Sequence, residues 1–372
     1  MSNGDPTPPL GDDRPLEGLQ VVELASVLAG PLVGTFLAEL GAKVTKVEPP
    51  GQGDVTRNWR LANEPLDGPS AYYTAANGPK NTVRINLKSK EGQNQLSRLL
   101  DGADILLQNA HPDSLASLGL NPEELATRHP KLIHVHLLGF FDQPGRGGYD
   151  IVVQAESGFL SMNGTPDGMG FRMPVALMDV LAAHQMRSAL LLALYERERS
   201  GSGAYIETWL DASGLSGLVN RATEHLVAGQ TPKPLGALHP QIAPYGEYFS
   251  CRCGGVIVTA IGNDRQFTAL CRLLGTEELA ADPGFSSNPL RVQNRVRLAQ
   301  RLQPCFASLD AQSVMEHAIL LGVPLGRVKS VSEALSEGTG QAMTAEFDLE
   351  GQSVRHIRQV AFRLHRNGRR TT

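Results

Sequence analysis

Short apolar segments alternate with amphipathic ones along the first half of the chain. Residues 18–24 and 42–48 are predicted as strands, and residues 32–40 between them have the spacing of a buried helix. Gly41 fits the end of that helix, because glycine is favoured just beyond a helix C-terminus. A strand, a helix and a strand with short connections form a βαβ unit, in which the two strands run parallel. The chain is therefore predicted to begin with a parallel sheet.

The same alternation continues through the first 210 residues. It predicts four further strands, at 82–87, 103–108, 132–137 and 204–210. Helices are predicted at 90–100 and 122–127, and a long apolar helix is predicted to begin at Asp179. Strands that alternate with helices are typical of an α/β fold with a parallel sheet and helices on both faces.

The pattern changes after residue 230. The predicted elements there are a hairpin at 245–260, helices at 264–274, 289–308 and 311–321, a loop at 322–326 and a last strand at 354–362. The whole pattern predicts an α/β fold class, with a Rossmann-like large domain that holds the parallel sheet and a smaller α+β domain. The predicted boundaries are a disordered tail at 1–14, the large domain with its linker helix at 15–230, the small domain at 231–331, and a carboxyl-terminal segment at 332–372 that returns to the large domain.

Composition and charge exclude several classes of protein. Hydrophobic residues make up 41% of the 372 residues and charged residues 19%, which is typical of a globular protein with more than one domain. The formal net charge of −4 disfavours a nucleic-acid partner, and no apolar run is expected to be long enough to span a bilayer. The polar amino terminus lacks the features of a signal peptide. We therefore expect a cytoplasmic enzyme with no nucleic-acid or membrane partner.

Asp179 has the most distinctive setting of any acid in the chain, at the predicted start of the long apolar helix. Unpaired backbone N–H groups and the positive end of the helix dipole are expected to keep a carboxylate ionised there. An ionised carboxylate can act as a nucleophile. The same position also suits a simple helix N-cap, although Ala182 stands where a capping box has Glu or Gln. The local sequence leaves both interpretations open.

The turn after the first predicted strand is where a doubly wound sheet binds its ligand. Residues 27–31 of this turn read Val-Leu-Ala-Gly-Pro, so Leu28 stands where the fingerprint of a dinucleotide site requires glycine. A bound nicotinamide cofactor is therefore not expected. The small residues of the turn still allow a ligand to approach the backbone closely.

Two residue pairs have spacings that metal sites use. His134 and His136 share one face of a predicted strand, and Cys251 and Cys253 flank a predicted hairpin turn. Neither pair has a further ligand nearby in the sequence, whereas protein zinc sites need at least three protein ligands. No metal site is predicted. The four cysteines are also too few for a disulfide framework.

Taken together, these segments resemble the class III CoA-transferase family, also called CaiB/BaiF, which includes formyl-CoA transferase and α-methylacyl-CoA racemase. The resemblance extends over residues 15–331 and depends on the order and spacing of many short motifs. These motifs lie at 16–24, 29–31, 40–49, 53–57, 148–150, 154–158, 164–166, 174–179, 195–201, 243–246 and 322–324.

The resemblance implies both a fold and a reaction. It implies a Rossmann-like domain, a smaller domain, and two identical subunits that interlock as a homodimer. It also implies that Asp179 attacks an acyl-CoA thioester, giving an aspartyl–acyl anhydride and then an aspartyl-CoA thioester, from which CoA passes to a carboxylic acid. Coenzyme A is then part of the substrate, and no permanently bound cofactor is implied.

The racemases of this family use a histidine that falls at the position of Tyr149. A phenol is a poor proton acceptor near neutral pH, so CoA transfer is favoured over racemisation. By resemblance, Tyr149, Asp150 and Gln154 support the acyl anhydride. Their alternative role is simple packing at the start of a strand, and the sequence leaves this open.

A site for CoA is implied as well. The residues expected to contact CoA are Val27, Leu28, Ala29, Arg57, Lys80, Ile85 and Asn109. Arg57 and Lys80 are the expected phosphate ligands, with His111 as a third cation nearby, because Pro49 and Ser117 stand where many family members have basic residues. Ala110 stands where many members have an aromatic residue after the preceding Asn.

Two other functions remain open at the level of sequence. One is an acyl-CoA racemase or isomerase on the same scaffold. The other, from a different class, is a non-catalytic binding or accessory protein with a degraded CoA site. These alternatives differ in whether an acyl group becomes attached to Asp179, an α-proton is exchanged, or neither occurs.

Overall fold

The computed structural model describes residues 14–364 and divides the chain into two compact units. Unit 1 contains the chain up to residue 160, residues 172–231 and the chain from residue 337, and unit 2 contains residues 161–171 and 232–336. The predicted disordered tail at 1–14 lies outside the described residues except for Arg14. The domain boundaries drawn from the sequence stay a prediction.

Unit 1 is built around a six-stranded parallel sheet. Its strands are β1 (Gln20–Glu23), β2 (Lys43–Glu48), β3 (Asn81–Arg84), β4 (Ile105–Gln108), β5 (Ile133–Leu138) and β6 (Ala204–Trp209). They lie in the order β3-β2-β1-β4-β5-β6, which is the strand order of a doubly wound fold. The predicted α/β fold class with a parallel sheet is confirmed. The strand order reverses between β1 and β4, so a crevice is expected beyond the carboxyl ends of these two strands.

Helices cover both faces of this sheet. The helices before residue 230 are α1 (Ala29–Glu39), α2 (Ala71–Ala76), α3 (Lys90–Leu100), α4 (Leu115–Leu118), α5 (Pro122–Arg128), α6 (Asp150–Glu156), α7 (Phe159–Met162), α8 (Leu177–Ser200), α9 (Leu210–Ser216) and α10 (Val219–Ala228). Adjacent side chains of a strand point to opposite faces. Val21 of β1 therefore lies in one core with Leu37 of α1 and Leu190 of α8, while Val22 lies in a second core with Leu96 of α3.

Helix α8 has 24 residues and runs through the core of unit 1. By length and composition alone it could cross a membrane, with a mean hydropathy of 1.2, so the expectation that no apolar run is long enough was wrong by this measure. Met186 and Leu190 of α8 are nevertheless fully buried in the core on one face of the sheet. This burial accounts for much of the apolar character of α8.

Unit 2 contains a three-stranded antiparallel sheet. Its strands are β7 (Tyr245–Ser250), β8 (Val256–Ala260) and β9 (Leu325–Arg327), and its helices are α11 (Asp264–Leu273), α12 (Glu277–Ala281), α13 (Asn288–Gln293), α14 (Arg295–Ser308), α15 (Ala311–Leu321) and α16 (Val331–Leu335). The predicted hairpin is confirmed, but the predicted helix at 289–308 is two helices, because Asn294 has non-helical backbone angles. Part of the predicted loop at 322–326 forms β9 instead.

The carboxyl-terminal segment completes unit 1. It contains α17 (Gly338–Met343), β10 (Thr344–Leu349) and β11 (Gln352–Ile357). The predicted last strand is β11, but it pairs with β10 in a separate antiparallel sheet and ends at Ile357 instead of residue 362. Beyond it, the carboxylate of Glu39 in α1 accepts hydrogen bonds from the backbone N–H groups of Gln359 (2.8 Å) and Val360 (2.9 Å). These bonds fix the segment against α1.

Candidate active site

A cavity of about 290 Å³ lies in unit 1, beyond the carboxyl ends of β1, β4 and β5. This is the crevice that the strand order predicts. Six of the predicted site residues line it, namely Val27, Ala29, Asn109, Tyr149, Asp150 and Asp179. The structure therefore brings the predicted nucleophile, two of its predicted supporting residues and part of the predicted CoA contacts to one site.

Asp179 is the third residue of α8, not its N-cap. The helix begins at Leu177, and Ala176 before it offers no side chain that could cap. The free N–H of Met178 in the first turn instead donates to Oδ1 of Asp150 at 2.8 Å. The N-cap interpretation of Asp179 was therefore wrong. The capping role belongs to Asp150, which comes from a different helix, and this leaves the carboxyl group of Asp179 directed to the cavity that it lines.

Burial raises the pKa of Asp179 to about 7, and the negative charge of Asp150 contributes to this increase. A hydrogen bond from the backbone N–H of Ala29 to the Asp179 carboxylate acts in the opposite direction. The expectation that the helix start keeps this acid fully ionised was wrong, because the loss of water around the carboxylate outweighs its hydrogen bonds to the backbone. Near pH 7 both the protonated and the ionised form of Asp179 are populated.

Tyr149 directly precedes helix α6, which contains Asp150 and Gln154, so the predicted strand start at these residues was wrong. Tyr149 is exposed and lines the cavity. Gln154 is fully buried, where its Nε2 donates to Asp150 Oδ2 at 2.6 Å and its Oε1 accepts from the backbone N–H of Met173 at 2.8 Å. Gln154 therefore holds Asp150 and the chain before α8 but does not line the cavity itself.

The turn between β1 and α1 forms one wall of the cavity. Asn109, at the end of β4, bonds both backbone groups of Ser26, accepting from its N–H and donating to its C=O, each at 3.1 Å. Val27 has a φ of 73°, in the left-handed region that β-branched residues rarely adopt. Leu28 points elsewhere and lines a second, larger cavity of about 800 Å³ in the same unit.

The two cations expected to hold the CoA phosphates do not reach the cavity. Lys80 is buried, and its ammonium donates to Glu23 at 3.0 Å and to the backbone C=O of Pro31 at 2.7 Å. Arg57 donates to Glu48 at 2.7 Å and also pairs with Glu350. Both cations are already bonded to acids in unit 1, so neither is free to hold a phosphate in this structure.

Ile85 is also outside the cavity. It follows β3 and is buried in the core on the α3 side of the sheet. Its backbone N–H donates to the C=O of Glu48 at 2.9 Å, which continues the pairing of β2 with β3. Ile85 therefore has a packing role here, and its predicted contact with CoA is not seen among the cavity-lining residues.

Arg146 is the only Lys or Arg among the described residues that line the cavity, and the sequence analysis missed it. Its guanidinium lies 4.0 Å from the ring centroid of Phe140 and donates to Glu156 at 2.9 Å. The loop beside it is held by His111, whose Nε2 lies 2.7 Å from the C=O of Gly145. The available signal was an arginine between glycines, two residues before the start of the Gly-Tyr-Asp motif.

The pair His134 and His136 lies in unit 1, and the pair Cys251 and Cys253 lies in unit 2. His134 and His136 are buried in β5, and burial lowers the pKa of both. Both ring nitrogens of His136 have polar neighbours at 2.9 Å, the hydroxyl of Tyr205 and the C=O of Ala110. Within residues 14–364, no three His, Cys, Asp or Glu side chains are grouped so that they could hold a metal ion.

Comparison with known proteins identifies the family. Residues 16–372 match the family described as CoA-transferase family III. The chain is 36% identical to succinate–glutarate CoA-transferase of Agrobacterium fabrum over 346 residues, which covers 91% of this chain and 86% of the relative. It is 34% identical to acetyl-CoA:oxalate CoA-transferase of Acetobacter aceti, covering 90% of this chain and 85% of that protein.

A solved structure agrees with these sequence matches. The crystal structure of a CaiB/BaiF family protein from Brucella suis superposes with a TM-score of 0.82 at 34% identity, covering 95% of this chain and 93% of that one. The predictions of the family and of an enzyme are thereby confirmed. The chain belongs to CoA-transferase family III.

Proposed function

We propose that this enzyme moves CoA between a thioester and a carboxylic acid through covalent intermediates on Asp179. One observation carries the proposal, namely that Asp179 lines the cavity at the switch point of the sheet. Its carboxylate accepts a hydrogen bond from the backbone N–H of Ala29, and the start of α8 is capped independently by Asp150. The carboxyl group of Asp179 is thus held in place by a hydrogen bond, while a different residue caps the start of α8.

The reaction proceeds by acyl exchange at one carboxyl group. An oxygen of the Asp179 carboxylate attacks the carbonyl carbon of the thioester, and the C–S bond breaks. The products of this step are the aspartyl–acyl anhydride and the free CoA thiolate. The thiolate then attacks the aspartyl carbonyl and releases the first acid, which leaves an aspartyl-CoA thioester. The acceptor carboxylate attacks this thioester and displaces the thiolate. Attack of the thiolate on the acceptor side of the new anhydride gives the product and restores Asp179.

The burial of Asp179 suits this chemistry. A carboxylate with few water neighbours is a more reactive nucleophile once ionised, and a dry site protects anhydride and thioester intermediates from hydrolysis. A pKa near the working pH is typical of nucleophiles and bases in active sites. The Ala29 N–H keeps the carboxylate ionisable despite its burial.

We propose short dicarboxylic acids as the acid substrates. The named relatives act on succinate, glutarate and oxalate, as their names state. Assays with succinyl-CoA and a panel of mono- and dicarboxylates test the class, and a clear preference for monocarboxylates contradicts it.

Trapping with hydroxylamine tests the covalent mechanism. The enzyme is incubated with succinyl-CoA and hydroxylamine, digested, and examined by mass spectrometry. The expected result is inactivation together with conversion of the Asp179 side chain to a hydroxamate. A racemase exchanges an α-proton with D₂O instead and shows no such adduct, and a binding protein shows neither change. An unmodified Asp179 in an enzyme that still turns over contradicts the proposal.

The rate of this trapping is expected to depend on pH through Asp179. Because burial raises the pKa of Asp179 to about 7, its ionised fraction increases as pH rises through neutrality. Below this pKa the trapping rate should fall about tenfold for each pH unit, and above it the rate should level off. Trapping rates at limiting substrate are measured between pH 5 and 9. The part of this profile in which the rate rises with pH is called the acid limb. A trapping rate that stays constant from pH 5 to pH 9 contradicts the placement of Asp179 in a dry site.

Arg146 is expected to bind a phosphate of CoA, exchanging its bond to Glu156 for one to the ligand. Arg146→Ala should raise the KM for the acyl-CoA about tenfold, because a charge-assisted hydrogen bond is lost, and should change kcat little. A truncated acyl-pantetheine donor should show no difference between the variant and the natural protein. Steady-state kinetics with both donors measure the effect.

Arg199→Ala is the matched control for Arg146→Ala. Arg199 also bonds a glutamate, Glu196, and also lies over an aromatic ring, that of Tyr195, but it is at the far end of α8. Its substitution should leave the KM unchanged. An equal rise in KM for both variants contradicts a specific role of Arg146.

We also propose that the enzyme is a homodimer, as the resemblance implies, and that it is cytoplasmic, as expected from its composition. Large apolar side chains are exposed on two helices of unit 1, Leu192 on α8 and Leu226 and Val227 on α10. Burial of these side chains in a second subunit removes apolar surface from water. Sedimentation equilibrium measures the subunit number, and a monomer at micromolar concentration contradicts the dimer.

A further inference from the structure

The turn between β1 and α1 is held by three side chains from three different parts of unit 1, and two of them, Lys46 and Asp54, are buried. Lys46 in β2 donates to the backbone C=O of Ala25 at 2.9 Å. Asn109 bonds both backbone groups of Ser26, and Asp54 accepts from the N–H of the next residue, Val27, at 3.3 Å. Three consecutive residues of the turn are therefore fixed from outside it.

Val27 is the strained residue of this turn. Its φ of 73° places its Cβ close to its own backbone, a conformation that costs free energy for a β-branched side chain. Such a residue keeps a left-handed conformation only where its surroundings impose it. The hydrogen bond from the Val27 N–H to Asp54 is a contact that imposes it directly.

Asp54 is itself held from both sides. Its side chain is 1% exposed; Oδ1 accepts from the N–H of Thr56 at 3.0 Å and from its hydroxyl at 2.8 Å. Oδ2 lies 3.1 Å from the ammonium of Lys46. Burial by itself raises the pKa of Asp54, but Lys46 and Thr56 outweigh it and hold the pKa below its usual range. Asp54 is therefore an ionised, fixed acceptor.

The Val27 conformation matters to Asp179 because Ala29 follows two residues later. Ala29 is the first residue of α1, so its backbone N–H has no acceptor within the helix. Ala29 and Asp179 line the same cavity, where that N–H donates to the carboxylate of Asp179. The direction of this donor depends on the path of the turn, and the turn depends on Asp54.

We propose that the buried Lys46–Asp54 pair is a positioning device for the nucleophile: it holds the left-handed turn at Val27 so that the Ala29 N–H donates to Asp179. This inference rests on the proposed function of Asp179. Asp54 touches neither the cavity nor the reacting atoms, so it is a positioning residue. Tyr72 and Asp150 are further titratable groups that interact with Asp179, and neither bonds Asp54.

Asp54→Asn tests the device through the pH dependence of trapping. Loss of the turn should remove the Ala29 hydrogen bond, which favours ionised Asp179, so the acid limb should move to higher pH. The trapping rate at pH 6 should fall up to about tenfold, with the plateau at high pH less affected. Removal of a negative charge by itself lowers the pKa of a nearby acid. An upward shift therefore has the opposite sign to a simple charge effect.

Two further variants keep the test decisive if Asp54→Asn does not fold. Thr56→Val removes the hydroxyl that holds Asp54 but leaves all charges in place, and it should give a smaller upward shift. Ser70→Ala removes a different buried hydroxyl, which donates to the C=O of Thr56 at 2.6 Å and does not touch Asp54. It should lower the melting temperature without moving the acid limb.

The outcomes separate this inference from the proposed function. An upward shift in the Asp54 or Thr56 variant, absent in the Ser70 variant, supports the positioning role. Folded variants with the acid limb of the natural protein, or with a downward shift, overturn it. If the natural protein forms no hydroxamate at Asp179, the proposed function itself fails, whatever the variants show.

Discussion

Asp179→Asn is expected to lower CoA-transfer turnover by about a thousandfold or more, because the amide cannot form the anhydride on which every later step depends. The same substitution is expected to stabilise the protein at neutral pH. Burial raises the pKa of this carboxyl to about 7 from its ordinary 3.8, so ionisation costs more free energy in the folded chain than in the unfolded one. Initial rates and melting temperatures measure the two effects.

The sign of the stability change distinguishes a buried functional acid, whose replacement stabilises the protein, from an acid that the fold needs. The gain in melting temperature should be largest at and above pH 7 and should vanish below about pH 3, where both the folded and the unfolded chain keep the proton. Glu91→Gln is a suitable control, since Glu91 is also an acid in the first turn of a helix but lies on the exposed surface of α3. A less stable Asp179→Asn protein at pH 8 contradicts the account of Asp179 as a buried functional acid.

Lys46→Met is expected to cause the largest loss of stability among the substitutions considered, about 3–5 kcal/mol. The ammonium of Lys46 lies 3.1 Å from both Glu23 and Asp54, and all three side chains are at most 1% exposed. Its removal leaves buried carboxylates without their shared partner. Burial alone lowers the pKa of Lys46, but the two acids outweigh it and raise the pKa above 10.5, so the full contribution is present at pH 7.

Urea denaturation at pH 7 measures the loss as a lower midpoint. Lys43→Met provides the control, because Lys43 is on the same strand, β2, but is exposed. Its effect should stay within about 0.5 kcal/mol. Equal midpoints for the two variants contradict a net stabilising role of the buried pair.

The sheet was predictable from the chain because its signal is local. Val21 and Val22 in β1 and Ile105 and Leu107 in β4 are buried and apolar, and each strand is short and bounded by helices or turns. Hydrophobic periodicity reports such elements directly. The break at Asn294 between α13 and α14 was missed, since it has no proline or glycine to mark it.

The site was predictable only in part, because much of it depends on partners distant in the chain. Asp179 could be placed at a helix start from the residues that follow it. Its raised pKa could not, because burial and Asp150 determine it. The assignment of Lys80 to a phosphate failed for the same reason: its acid partner, Glu23, is 57 residues away.

The bonds from Gln359 and Val360 to Glu39 have a practical consequence for work with this protein. Glu39 is the last residue of α1, and Ala29, the first residue of the same helix, donates to Asp179. Helix α1 therefore connects the carboxyl-terminal segment with the reactive acid. Deletions that remove Gln359 and Val360 are expected to release the far end of this helix.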